Sequence, residues 1–204
     1  MRKLSIAPVC FLILASFVLM PSAESQSGGG ATTAGAQSKK IRTSAQPLLA
    51  FSDLSVLSRS GSALVRTPQG VYMSLHSFDL IPGNVYTAWW VFFNKPKRCA
   101  SSPCAVSDLD NPDTEPSVVN VTGRVVGADG TADFGAFIGV GDTTGSVFGP
   151  GLLEPMKAEI HLVVRTHGPA LLDDPQQLRE QLSMFNGGCP PNTCEDVAVS
   201  IHQP

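Results

Sequence analysis

Charge is scarce in this chain. Of its 204 residues only 15% are Asp, Glu, Lys or Arg, and the formal net charge is −3. No basic run stands out, so the electrostatic footprint of a nucleic-acid-binding domain is missing. After residue 20 every apolar run is cut by Gly, Pro or charge, and no later segment offers the roughly 20 apolar residues of a membrane-crossing helix. Familiar catalytic signatures are absent too: there is no Gly-x-Ser-x-Gly, no His-Glu-x-x-His and no phosphate-binding loop. Long parallel crossovers and internal repeats are equally lacking. What is abundant is punctuation: 19 Gly and 16 Pro favour short strands joined by turns.

The beginning of the chain follows a different pattern. Arg2 and Lys3 precede an apolar run from Ile6 to Met20, and small residues follow at Pro21-Ser22-Ala23. Basic, apolar, small is the order of a secretory signal peptide, with cleavage expected after Ala23 or Ser25. The run is about fifteen residues, too short to span a bilayer as a helix. Removing residues 1–23 takes away Arg2, Lys3 and Cys10 and leaves the remainder near −5. Residues 24–46 are Gly, Ser, Ala, Thr and Gln with Lys39, Lys40 and Arg42, and carry no aromatic residue. Such a segment buries too little to offset its ordering entropy, which predicts a disordered polar linker. Residues 47–204 then form a single domain, placed outside the cell or in the periplasm.

Period-two alternation runs through that domain. Val71, Met73 and Leu75 alternate with Tyr72, Ser74 and His76, and Ile160, Leu162 and Val164 alternate with Glu159, His161 and Arg165. Similar patterns cover 117–127, 131–140 and 197–202. Ala128-Asp129-Gly130 and Thr67-Pro68-Gln69-Gly70 supply hairpin turns. Val85 to Asn94 is apolar on both faces, which predicts a central strand whose Trp89 and Trp90 are packing mass rather than an aromatic platform. Asp174-Pro175 starts one helix, near 175–185, with Leu178, Leu182 and Phe185 as its stripe. About eight strands and one short helix predict an all-β fold: an antiparallel β-sandwich of Ig-like or jelly-roll outline, or a partly closed barrel.

Four cysteines remain after cleavage, as two C-x4-C pairs. In a reducing compartment the pattern raises zinc, whereas in an exported protein it predicts two disulfides. Three connectivities are open, and the preferred one joins Cys99 to Cys104 and Cys189 to Cys194, because both loops carry Pro and can turn back. His76, His161, His167 and His202 fall on the more polar sides of their strands or just past them, so a divalent metal held by this set is the alternative to a cofactor-free protein. Were those strands neighbours, Tyr72, Glu159 and Arg165 would join the same patch as ligand-binding side chains. The acidic run Asp108–Glu115 lacks the glycine of an EF-hand loop and reads as a solvated loop. Residues 141–156 read as a long surface loop and as the expected ligand-contact region. Asn120-Val121-Thr122 matches a glycosylation acceptor, meaningful only in a eukaryotic host.

Three stretches resemble a group of secreted bacterial β-rich proteins with no assigned activity: Pro82–Trp90, Phe148–Gly151 and Glu159–Pro169. The resemblance implies a bacterial exported protein and assigns no catalytic residue. Together these features favour a non-enzymatic secreted module that binds a small ligand, a glycan or a protein. The competing expectation is a metal-binding protein or metal-dependent enzyme built on the histidines.

Overall fold

The computed structural model describes residues 41–204; the expected signal peptide and all of the expected linker before Ile41 lie outside the described residues. Nine strands and one helix follow in chain order: β1 Arg42–Ala50, β2 Val56–Thr67, β3 Gly70–Ser77, β4 Asn84–Phe93, β5 Pro116–Val125, β6 Ala132–Gly139, β7 Ser146–Phe148, β8 Glu159–Pro169, α1 Pro175–Ser183 and β9 Glu195–His202. All strand pairs are antiparallel, and the spatial order is β6-β3-β2-β1-β9-β8-β4-β5-β7.

The all-β class is as expected; of the two outlines expected, the sandwich is not confirmed and the partly closed barrel is the nearer one. A single continuous sheet curls into a half-barrel, bringing β5 and β6 near each other without pairing them. The curl lets one face bury against itself. Leu64, Val71, Leu75, Trp90, Phe92 and Phe134 are among the side chains of this inner core. The outer face of the β4 region needs separate cover, and loops and the helix provide it rather than a second sheet. Trp89, Val91, Phe93, Val118, Val163 and Val199 pack there beneath Phe51, Leu109 and Phe185. Strand β4 is therefore buried on both sides, as its doubly apolar sequence predicts, and both tryptophans are core.

Strand β1 corrects the expected linker. Residues 42–46, read as part of a disordered segment, form a strand in register with β2, Arg42 opposite Arg66 and Gln46 opposite Ser62. Polar side chains disguise it, because its neighbours across the half-barrel interior are polar as well. On its other side β1 meets β9 at only two residue pairs, Leu49 with Val199 and Ala50 with Ala198. Below that point the seam between β1 and β9 has no backbone ladder.

The helix starts where expected. The Asp174 carboxylate accepts from the amides of Gln176 and Gln177, and Pro175 occupies the first turn. It ends at Ser183, so Phe185 lies beyond it and reaches the Trp89 ring edge-on at 5.2 Å. Gly123 lets α1 approach the sheet, since a Cβ there would stand 2.6 Å from the Leu182 Cα.

Candidate functional site

The structure places the four histidines in four separate settings. His76 pairs with the exposed Asp133 at the sheet edge. His161 is buried on the outer face, its Nε2 2.7 Å from the Glu159 Oε1, with its ring edge-on to Phe93. Trp89 Nε1–H donates to the Thr87 hydroxyl, which lies 2.8 Å from His167 Nε2, while His167 Nδ1–H donates to the Gly187 carbonyl. Burial, the largest influence, pushes the His167 imidazolium below its ordinary range, so the ring is neutral and pins the 187–194 loop to the sheet. His202 points into the half-barrel.

The patch expected from Tyr72, His76, Glu159, His161, Arg165 and His202 is therefore not formed. Alternation put most of them on one face but gave no strand order. Three strands, β2, β1 and β9, separate β3 from β8, roughly 19 Å of sheet. Arg165 is occupied internally: its Nε donates to Phe185 O, its Nη1 to Asp196 at 2.6 Å and its Nη2 to Asn186, with the guanidinium 4.0 Å from the Phe185 ring centre. Glu159 is buried and accepts from the Cys104 amide. Among the described residues, the close groups with metal-ligand atoms are His167–Cys189–Cys194 and Cys99–Cys104–Asp108, and in each the sulfurs are joined as a disulfide. The pairing is Cys99–Cys104 and Cys189–Cys194, as preferred from the loop sequences.

Beneath the open seam lies a buried polar layer. His202 Nδ1 is 2.8 Å from Ser44 Oγ and its Nε2 2.8 Å from Ser62 Oγ, which in turn lies 2.6 Å from Ser200 Oγ. Burial first, then the Arg66 and His161 charges, lower the His202 imidazole to about 4. Next to it the Arg66 guanidinium donates through Nη1 to the carbonyls of Pro155 and Ala158, and through Nη2 to that of His202. Burial, ahead of repulsion from Arg42, lowers Arg66 to about 10, well above any physiological pH, so it stays charged.

Above this layer, at the end of the half-barrel where β1 begins and β4 and β9 end, opens a cavity of about 820 Å³. Arg42, Lys95, Lys97, Arg98 and Lys157 line it, against the carboxylates Glu154 and Glu159. Five of the ten Lys and Arg residues in 41–204 thus meet in one groove, but only two of the sixteen Asp and Glu. Lys95 is paired with Glu115 and Lys157 with Glu154, and Arg42 donates to Met156 O. Lys97 and Arg98 stand exposed on a 3-10 turn, Pro96–Arg98, ahead of the first disulfide.

That turn is held from several directions. The Cys99 amide donates to Pro96 O, and both oxygens of the buried Asp108 accept backbone amides, from Ala100 and Ala105. The expected acidic surface loop is thus partly internal: Asp108 organises the stapled turn, and Glu115 neutralises Lys95. Within 141–156, the stretch expected to contact ligand, residues 141–150 are almost wholly exposed and residues 151–153 strap the same end of the barrel. Asn94 accepts from Leu153 N and donates to Gly151 O, and Leu152 is fully buried. Only Glu154 and Met156 of that stretch line the groove.

No family model, curated protein or solved structure matches the chain. The reading of the groove therefore rests on its own chemistry. Sequence reasoning passed over it because its cations come from positions 42, 95–98 and 157, which only the fold assembles. The one local signal is Lys95-Pro96-Lys97-Arg98 beside Cys99.

Proposed function

We propose that the protein is an exported, non-enzymatic binding module whose basic groove takes an anionic ligand, carrying carboxylate, phosphate or sulfate groups. The observation that carries this reading is the gathering of half the Lys and Arg residues of 41–204 around one cavity of a chain that is acidic overall. A cleft whose lining carries five cations against two side-chain carboxylates keeps an excess of positive charge between low-dielectric walls, which focuses its field and draws anionic partners. Lys97 and Arg98 are the open anchors, because no carboxylate pairs with either among the described residues. A guanidinium and an ammonium side by side suit a multivalent anion, one through a planar fork and the other as a point charge.

Export is supported by the basic-apolar-small start and by two disulfides, which persist in oxidising compartments. Among the described residues no helix is long and apolar enough to cross a membrane. The resemblance to secreted bacterial proteins adds the expectation of a periplasmic or extracellular site.

The test is calorimetric titration with citrate, pyrophosphate and a short polyphosphate, run at two salt concentrations. Binding that weakens with salt and falls about 10- to 100-fold in Lys97→Glu/Arg98→Glu supports the reading, since hydrogen bonds to charged groups contribute about 1.5–3 kcal/mol each. Indifference of all three probes to the double variant would overturn it.

A further inference from the structure

Cover over the outer face of β4 is assembled from three separated pieces of chain. Phe51 comes from the turn after β1, Leu109 from the 3-10 turn Val106–Asp110, and Phe185 from just beyond α1. Each is only partly buried, and the cover leaves a cavity of about 90 Å³ over the strands. Val91, His161, Val163 and Val199 lie at its floor, and Val106, 65% exposed, stands at its rim. His161 sits between Val91 and Ile201 across the sheet and two residues from Val163 along β8.

Those neighbours are branched and apolar, and another branched residue at position 161 would seal the floor without bringing a polar atom to it. Imidazole instead places two nitrogens at a site that is only 8% exposed. Nε2 is committed to the Glu159 Oε1, and that oxygen is itself held by the Cys104 amide. A carboxylate only accepts, so Nε2 supplies the proton of the bond, and in the neutral ring Nδ1 is left with a lone pair. Among the described residues Nδ1 has no hydrogen-bond partner. Nor is it sealed, for the sealed side-chain atoms without partners are Arg66 Nε, Ser77 Oγ and Asn120 Nδ2. The ring is thus fixed through one nitrogen while the other serves the cavity that His161 lines. A buried polar atom without a partner calls for an explanation. Water is a poor one here, because it needs several polar partners. The only other polar residue in a lining of aliphatic and aromatic side chains is Asp196, whose Oδ1 is held by Arg165.

We propose that this pocket binds a small aromatic alcohol, with its ring against the apolar walls and its hydroxyl donating to His161 Nδ1. Apolar and aromatic walls around one oriented polar atom are the build of a small-molecule site. Phe51, Phe93 and Phe185 offer ring faces and edges to an aromatic guest. The space is several times what one water needs and less than the roughly 150 Å³ of an enclosed apolar cavity that takes benzene, so one ring fits with part of it in the open mouth. No Lys or Arg lines the pocket, so the anion of the groove is not its ligand.

The test uses isotope-labelled protein and amide chemical-shift mapping with phenol, toluene and N-acetyltyrosinamide, each at about 5 mM, above the Kd of about 1 mM that one ring and one hydrogen bond support. Toluene has the shape of phenol without the hydroxyl. Phenol is expected to shift the Val91, His161, Val163 and Val199 amides, and toluene to bind about tenfold more weakly for want of one hydrogen bond. His161→Leu should bring the two probes to the same affinity. Val163→Phe, which fills the pocket from its floor, should abolish binding of both, and it keeps the test decisive if loss of the imidazole unfolds the protein. N-acetyltyrosinamide carries the same phenol on a peptide backbone and should bind more weakly than phenol. Tighter binding of it would assign the pocket to a partner's tyrosine and overturn the free ligand proposed. No shift at these amides with phenol overturns the proposal as well. So do toluene bound as tightly as phenol and phenol binding that survives Val163→Phe.

Discussion

The amide of Cys104 donates to the Oε1 of Glu159 at 2.7 Å, and through that one bond the stapled loop of residues 99–104 is fastened to strand β8. The same carboxylate oxygen meets His161. The exposed cations Lys97 and Arg98, just ahead of the staple, inherit their position from this anchorage.

Cutting the staple should therefore affect both stability and binding. A closed loop of six residues contributes about 2 kcal/mol in the chain-entropy model. Cys99→Ser/Cys104→Ser is expected to lower the urea midpoint by that equivalent and to weaken anion binding in the groove. Equilibrium unfolding and calorimetry on the same variant measure the two effects separately. Unchanged anion affinity would show that Lys97 and Arg98 do not depend on the staple.

Stability should fall as the solution is acidified through the mildly acidic range. His202 titrates near 4 in the folded protein, below the ordinary value of 6.5, so the unfolded chain takes up its proton first. The stabilising effect of the neutral ring is complete above about pH 6.5 and is lost as pH falls toward 4, with a slope of at most about 1.4 kcal/mol per pH unit. His167 is shifted in the same direction and adds to the effect. Urea unfolding of the wild type between pH 7 and 4.5 should show the decline, and His202→Gln should flatten part of it. A parallel curve for the variant would remove His202 from the account.

Arg165→Met is expected to be costly. It leaves Asp196 without its partner and strips the Phe185 carbonyl and Asn186 of a donor. Breaking a largely buried ion pair from one side costs about 3–5 kcal/mol, somewhat less here because Asp196 is partly exposed. Hydrogen exchange should quicken first in residues 183–194, the loop that Arg165 holds.

Gly123→Ala tests the seating of the helix. The added methyl would press on the backbone of Leu182, which cannot yield by a side-chain rotation. Overpacking of this kind costs about 1–3 kcal/mol. The expected signature is a lower melting temperature with a change in tryptophan fluorescence, because Phe185 then withdraws from Trp89.

The parts legible in the sequence were those governed by local rules. Alternation at Val71–Leu75 and Ile160–Val164 located strands and the faces they bury, and the doubly apolar Val85–Phe93 located the central one. Asp174 and Pro175 marked the helix start, and prolines within both short cysteine loops pointed to the right pairing. What stayed hidden depends on distant partners. Ser44 looks like linker because its polar side chain is matched by a distant partner, His202, and Gln46 looks like linker because it stays exposed on the strand. Strand β7, three residues long, has no pattern to read. Strand order separated Tyr72 and His76 from Glu159 and Arg165, and brought Arg42 and Lys157 to the same groove as Lys97.

The seam between β1 and β9 bears on how this protein can vary. Where the backbone ladder stops after two residue pairs, Ser44, Ser62, Ser200 and His202 close the gap with side chains alone. Each of the four satisfies another, so replacing one by an apolar residue strands its neighbours, while replacing all four by a packed apolar set strands none. Relatives of this chain should therefore carry either the serine–histidine set or a wholly apolar one at these positions, and intermediates should be rare. The four sites should then vary together, although they are spread over nearly the whole described length of the chain.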